Sequence, residues 1–260
     1  MALMAYFGFC LKQFRLFRFG LFLYTPAQKG RLTAIIFKGV HYPKSVILYA
    51  VYFYVRFGVS YRDLEEIMEE RGVNVDHATL NRWVVRFSQL IAKEAQKRKR
   101  STARSWRMDE TYVKVKGAWQ FLYRAVDRDG QTLDFMLSER RKKAAARRFF
   151  KRAIKTNGAP DRIVIDQSGA NLAGIEAINV IRKIKGLGSL IKALQVKYLN
   201  NIVEQDHRFI KRMTRPMLGF KAAHSAAATL AGIETAHMIR KSQIPTTGTT
   251  GFHIFAMLAE

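Results

Sequence analysis

Between Tyr42 and about Arg98, apolar residues return at three- and four-residue steps. Val46, Ile47, Ala50, Val51, Tyr54 and Val55 make the first stripe, the spacing of a helix with one face turned inward. Gly58 stops that helix. Ser60 followed by Asp63 has the form of a capping box, with Asp in place of the usual Glu, and opens a second helix to about Glu70. Leu64, Ile67 and Met68 form its inner side; Glu65, Glu66, Glu69 and Glu70 make its outer side acidic and unsuited to lie on a polyanion. After the short turn Arg71-Gly72-Val73-Asn74-Val75, Asp76 caps a third helix through about Ile91, with Leu80, Trp83, Val84, Phe87 and Ile91 as its stripe. Helix, short Gly-containing turn, helix is the layout of a helix-turn-helix. His77, Ala78, Asn81, Arg82 and Arg86 fall off the apolar stripe of the third helix, where a recognition helix would meet base edges and phosphates.

After Arg104 the period drops to two, predicting strands over 107–115, 118–127 and 131–138, with turns at Lys116-Gly117 and Asp129-Gly130. Asp109, Thr111, Val113 and Val115 share one face of the first strand; Trp119, Phe121, Tyr123 and Ala125 share one face of the second. A basic helix over 142–156 precedes the short apolar strand Arg162-Ile163-Val164-Ile165, whose continuous apolar character suits burial on both faces. Helices are expected around 171–183, 188–194, 201–213 and 222–241. Three antiparallel strands, a helix, a strand and more helices are the order of a ribonuclease H-like core. The expected fold is therefore α/β: an integrase-type mixed sheet preceded by an all-α helix-turn-helix domain. Divided by composition, the chain reads as an N-terminal extension (1–31), a helix-turn-helix domain (32–96), a basic linker (97–105), a catalytic core (106–241) and a flexible tail (242–260).

Charge narrows the function. With 45 Lys and Arg against 20 Asp and Glu, the formal charge is +25 over 260 residues, which favours nucleic acid as partner over an anionic membrane surface. A composition that is 48% hydrophobic excludes a disordered basic protein. The one cysteine, Cys10, rules out an intramolecular disulfide framework and fits a reducing bacterial cytoplasm, with the nucleoid as the expected location. The scattered histidines give no zinc pattern. The Phe- and Leu-rich N-terminal segment carries Lys12, Arg15 and Arg18, so it lacks the apolar run of a membrane span, and no stable membrane association is expected. Lys99 and Arg100, within the run from Lys97 to Arg104, are assigned a secondary role along the phosphate backbone.

In so basic a chain, acidic residues at strand and helix ends stand out. Asp109 lies in the first strand, Asp166 ends the fourth, and Glu204 sits on a late helix beside His207, Arg208 and Lys211, away from its apolar residues. Magnesium takes oxygen ligands and keeps several waters, so few carboxylates suffice for each ion, and two ions about 3.5–4 Å apart can serve the attacking and leaving oxygens of a phosphoryl transfer. On this reading Asp109 bridges two Mg²⁺ ions (with Mn²⁺ able to substitute), Asp166 and Glu204 each bind one, and His207, Arg208 and Lys211 hold DNA phosphate nearby. Alternation sends Glu110 to the other face, and Asp206 points toward the apolar side of its helix. Each carboxylate also has an ordinary explanation: an ion-paired strand end, a helix cap, or a surface Glu with neighbouring cations. Trp106, Trp119 and Tyr112 are candidates for stacking on bases, although core packing is the stronger expectation for Trp119.

The segment WRMDETYVKVKGAWQFLYRAVDRDGQTLDFMLSERR resembles the first catalytic block of bacterial insertion-sequence transposases, specifically the insertion-sequence-six family. GVSYRDLEEIMEERGVNVDHATLNRWV resembles that family's helix-turn-helix, and YLNNIVEQDHRFIKRMTRPMLGFK its block with the catalytic Glu and a basic residue two turns on, here Lys211. The resemblance runs from about Phe37 to Lys241. It implies a DDE triad of Asp109, Asp166 and Glu204, magnesium dependence, recognition of terminal inverted repeats in double-stranded DNA, and insertion into target DNA through a cointegrate. Holding two ends together implies a homodimer or higher oligomer. The chain departs from the pattern at Gln167, where the family often has Lys, and in extra residues before Glu204, placed by their glycines at Lys185–Gly188. A DNA-binding repressor left by a decayed copy, and a nuclease that cuts without joining, are the competing readings.

Overall fold

The computed structural model describes residues 35–37, 41–246 and 250–260; the segment 1–31 lies outside the described residues. Three helices open it: α1 (Lys44–Arg56), α2 (Tyr61–Glu69) and α3 (His77–Arg98). The capping box at α2 forms as read: the Ser60 amide donates to the Asp63 carboxylate at 2.8 Å, and the Asp63 amide to the Ser60 hydroxyl at 3.1 Å. Asp76 caps α3, accepting from the Thr79 amide at 2.8 Å. Helix α3 does not stop near Ile91. Ala92 and Ala95 extend its buried stripe to Arg98, which absorbs the start of the expected linker. Alanine is too small to register in a hydrophobic periodicity, yet it is the residue that permits close helix approach here.

The sheet has five strands in the order β3-β2-β1-β4-β5. Strands β1 (Ser105–Val115), β2 (Ala118–Asp127) and β3 (Thr132–Ser138) are antiparallel; β4 (Arg162–Ile165) and β5 (Lys192–Gln195) run parallel to β1. This is the ribonuclease H-like mixed sheet. Helices α4 (Lys143–Asn157) and α5 (Gly169–Ile184) cover one face through Phe149, Phe150 and Ile175, packed on Trp106, Met108 and Tyr123. Strand β5 corrects the expectation of a helix over 188–194. Gly186 and Gly188 take positive φ and end α5 in an exposed turn, and the chain then pairs with the free edge of β4. The stretch Lys185–Gly188, where the sequence reading placed the departure from the family spacing, is thus an exposed loop between α5 and β5.

On the other face lie α6 (Asn201–Thr214), entered through a 3₁₀ turn at Lys197–Asn200, and α7 (Ala223–Arg240). Helix α7 is buried on all sides from Ala228 to Ile239 because it is shared: Val113, Val115 and Leu122 of the sheet and Val51, Val55, Phe87 and Ile91 of α1 and α3 belong to one apolar cluster. A Cβ on Gly232 would lie 2.6 Å from Val55 and 2.7 Å from the Ser88 hydroxyl, so glycine is what lets α7 sit against α1 and α3. Residues 97–105 therefore do not separate two cores. Nor is the C-terminal stretch wholly a loose tail: Gly251–Met257 forms α8, which buries Phe255 against Tyr52. Among the described residues, no helix is long and apolar enough to cross a membrane.

Candidate active site

Strand β1 is the central strand, and β4 pairs with it up to Arg107 and Val164. Two residues further along each strand stand Asp109 and Asp166, so the parallel register itself brings the two aspartates side by side. Carboxylate oxygens of Asp109, Glu110 and Asp166 all lie within 4.8 Å of one another. Glu110 belongs to the opposite face of β1, as its pairing with the buried Tyr123 requires. Because β4 ends here, carboxylates from both faces of β1 can converge on Asp166. Arg141 ties the pair together, donating to Asp166 at 2.8 Å and to Glu110 at 3.2 Å. The Ser168 amide at 3.1 Å and the buried Asn171 amide at 3.3 Å both donate to Asp166.

Burial pushes the Asp109 carboxyl up to about 7, and the negative charges of Glu110, Asp166 and Glu204 add to the effect, opposed by a backbone hydrogen bond. Burial likewise raises Glu110, with Arg141 pulling the other way. An all-carboxylate cluster whose members resist ionising together is what a hard divalent cation relieves. Its donor set suits magnesium and offers none of the thiolate or imidazole ligation typical of structural zinc. Glu204, in the first turn of α6, is exposed and outside the tight trio, though near enough for its charge to act on Asp109.

Helix α6 is anchored below that site. Arg124, the cross-strand partner of Asp109, is fully buried. It donates to Glu234 on α7 at 2.5 and 2.9 Å and to Asp206 on α6 at 2.7 Å. Burial opposes the ionisation of Asp206, but the His237 hydrogen bond and the charges of Arg124 and Lys241 hold its carboxyl far below the usual range. Removing one member of such a buried charge set costs about 3–5 kcal/mol, because the remaining charge is left unpaired.

The other sequence-assigned residues divide. His207 is not on a DNA-facing surface: it is buried, with Nδ1 3.7 Å from Asp109, and burial together with the charge of Arg124 pushes it down to about 3, leaving a neutral ring. Helix α6 packs on α7 and on β1, so it buries a wider arc than its apolar stripe suggests. Lys99 is also committed elsewhere, donating to the Leu133 carbonyl at 2.6 Å, with burial pushing it down to about 8. Arg208, Lys211 and Arg100 are exposed. On α3, Asn81, Arg82 and Arg86 are exposed, while the exposed His77 contacts Glu65 of α2 at 2.9 Å. Trp106 is core, donating its indole N–H to the Ala103 carbonyl. Trp119, expected in the core, is instead 64% exposed. Arg141, Asn171 and Arg124 escaped the sequence reading, and Glu110 was set aside there because alternation sends it to the other face. Arg141 sits unmarked in a run of cations, and Arg124 has no acidic neighbour in sequence.

A family model described as a DDE domain matches residues 103–243. The transposase for insertion sequence-like element IS431mec of Staphylococcus aureus is 39% identical over 206 residues, covering 79% of this chain and 88% of that protein. The transposase for insertion sequence element IS257 in transposon Tn4003, also from Staphylococcus aureus, matches with the same identity and coverage. Among solved structures, the HTLV-2 integrase catalytic core domain in complex with magnesium aligns with a TM-score of 0.41 at 19% identity, over 61% of this chain and 99% of that one. The matched domain spans the strands that carry Asp109 and Asp166 together with the helices that flank them, and the chain belongs to the insertion-sequence-six family of DDE transposases.

Proposed function

We propose that this transposase binds the terminal inverted repeats of its element, cleaves DNA at the 3′ ends and joins them to target DNA, with cointegrate formation as the replicative outcome. The observation that carries the reading is the meeting of Asp109, within β1, and Asp166, just past the end of the adjoining β4, in an all-oxygen cluster. Asp109 and Asp166, with Glu204 from α6, are the residues assigned to hold two Mg²⁺ ions; Glu110 is the neighbour that enriches the negative field. Magnesium there would supply Lewis-acid stabilisation of the attacking and leaving oxygens. The chain's own part is positional: Arg141 and Asn171 fix the Asp166 carboxylate, and the Arg124 network sets the height of α6 relative to β1. Helices α2 and α3 support end recognition, with Asn81, Arg82 and Arg86 on the exposed side of α3. Two ends must be held at once, so the working form is at least a dimer.

The test incubates purified protein with end DNA, target DNA and Mg²⁺. Strand-transfer product from the wild type that disappears in Asp109→Asn, Asp166→Asn and Glu204→Gln supports the assignment. If Glu204→Gln retains activity while Glu110→Gln abolishes it, the third ligand is Glu110 and the triad is misassigned. End binding without cleavage in Mg²⁺ or Mn²⁺ would leave a repressor, and cleavage without joining a nuclease.

A further inference from the structure

Past the end of β4, the edge of β1 has no strand partner among the described residues until Lys114, where the chain after α6 returns: the Phe220 amide donates to the Lys114 carbonyl at 2.9 Å and the Lys116 amide to the Phe220 carbonyl at 2.7 Å. The open stretch between carries Asp109 at one end and leads at the other into a groove of about 740 Å³. Tyr112, Lys114 and Trp119 of the β1–β2 hairpin, Lys211 and Arg215 at the end of α6, and Leu218 line it. Two features set this groove apart. Tyr112 is 53% and Trp119 64% exposed, large rings left in water at the tip of a hairpin. Lys114, Lys211 and Arg215 are exposed around them, none in an ion pair among the described residues, and no acidic residue lines the groove.

Aromatic faces flanked by unpaired cations are how proteins hold a single nucleic-acid strand: the rings stack on bases and the cations follow the phosphates. Position supports the same occupant. Lys211 is about 10 Å from Glu204 along α6, and Tyr112 about 10 Å from Asp109 along β1, roughly three nucleotide steps. A second copy of this chain is a poor occupant, since it would bring another +25 charges to a cationic rim. We propose that this groove holds the DNA strand next to the scission point, with an unpaired base stacked on Trp119 and its phosphates on Lys211 and Arg215. The inference rests on the transposase reading and adds to it a distortion of the duplex: a base must leave the helix to reach Trp119.

The three tryptophans make the test direct. Trp83 and Trp106 are 4% and 1% exposed, so contact quenching of the emission reports Trp119. Wild-type protein is titrated with a duplex bearing a three-nucleotide overhang and with its blunt counterpart, without divalent metal. The overhang is expected to quench emission, and Trp119→Phe to lose the quench while keeping affinity. Trp119→Ala should bind the overhang about tenfold more weakly and the blunt duplex as before. No quench, with equal affinities for wild type and Trp119→Ala, overturns the proposal; so does sedimentation showing that Trp119→Ala dissociates a DNA-free oligomer. Strand transfer by the wild type is assayed in parallel. Activity without a quench removes the groove alone, whereas a quench without activity removes the transposase reading and leaves a single-strand site.

Discussion

Asp109 is the residue where fold and chemistry pull in opposite directions. Its carboxyl is raised to about 7 in the folded chain by burial and by Glu110, Asp166 and Glu204, against about 4 when unfolded. A folded state that binds the proton more tightly is most favoured below the unfolded value and loses that advantage as pH rises from about 4 through 7. The penalty at pH 8 is on the order of 2–4 kcal/mol for the metal-free protein. Asp109→Asn is therefore expected to abolish strand transfer and yet raise the melting temperature at pH 8 in chelator, flattening its fall between pH 5 and 8. Added Mg²⁺ should raise the wild-type melting temperature and leave the variant's nearly unchanged. A variant melting below the wild type in chelator would mean that the carboxylate repulsion is not felt. The aspartates were legible because one lies within an alternating strand and the other directly follows a short apolar one, and the parallel register of those strands places them abreast. Glu110 was not, since alternation argues only about faces, and the loss of β4 beyond Asp166 makes the face irrelevant. His207 was misread because a single apolar stripe says nothing of a second surface packed against the same helix.

Packing between elements turns on α7, and two substitutions test it. Gly232→Ala would gain about 1 kcal/mol of helix propensity, but its methyl would meet Val55 and the Ser88 hydroxyl well inside contact distance. Overpacking costs about 1–3 kcal/mol, so net destabilisation in urea unfolding is expected, and a stabilised variant would show that α1 and α3 can move apart freely. Phe255→Ala should cost about 3–5 kcal/mol, because the ring is buried against Tyr52 and the main apolar cluster; a loss below about 1 kcal/mol would return the C-terminal stretch to the status of a tail. The strands β1 to β4 and helices α1, α2 and α4 lie close to their sequence expectations because period, turn glycines and caps are all local signals. What spans the chain was invisible. Helix α8 is only seven residues long and finds its stability in α1, and β5 exists only because β4 offers an edge.

For the molecule as a whole, the +25 charge predicts DNA binding dominated by phosphate contacts, so affinity should fall steeply and linearly on a log–log plot against salt. Structure decides which of the cations take part. Arg82, Arg86, Arg208 and Arg100 are exposed; Lys99 spends its ammonium on the Leu133 and Thr132 carbonyls, with burial lowering it to about 8. Each phosphate-contacting cation contributes about 0.9 to the slope on duplex DNA. Arg86→Ala and Arg208→Ala are each expected to flatten the slope by about that amount and to weaken binding across sequences, with Arg86→Ala also narrowing the preference for the element's ends. Lys99→Ala should leave the slope unchanged while lowering the melting temperature, since two carbonyls of β3 lose their donor. Fluorescence anisotropy at four salt concentrations separates the two classes. A slope change in Lys99→Ala equal to that in Arg86→Ala would mean that Lys99 leaves the carbonyls when DNA arrives, and that the basic stretch after α3 grips the backbone after all.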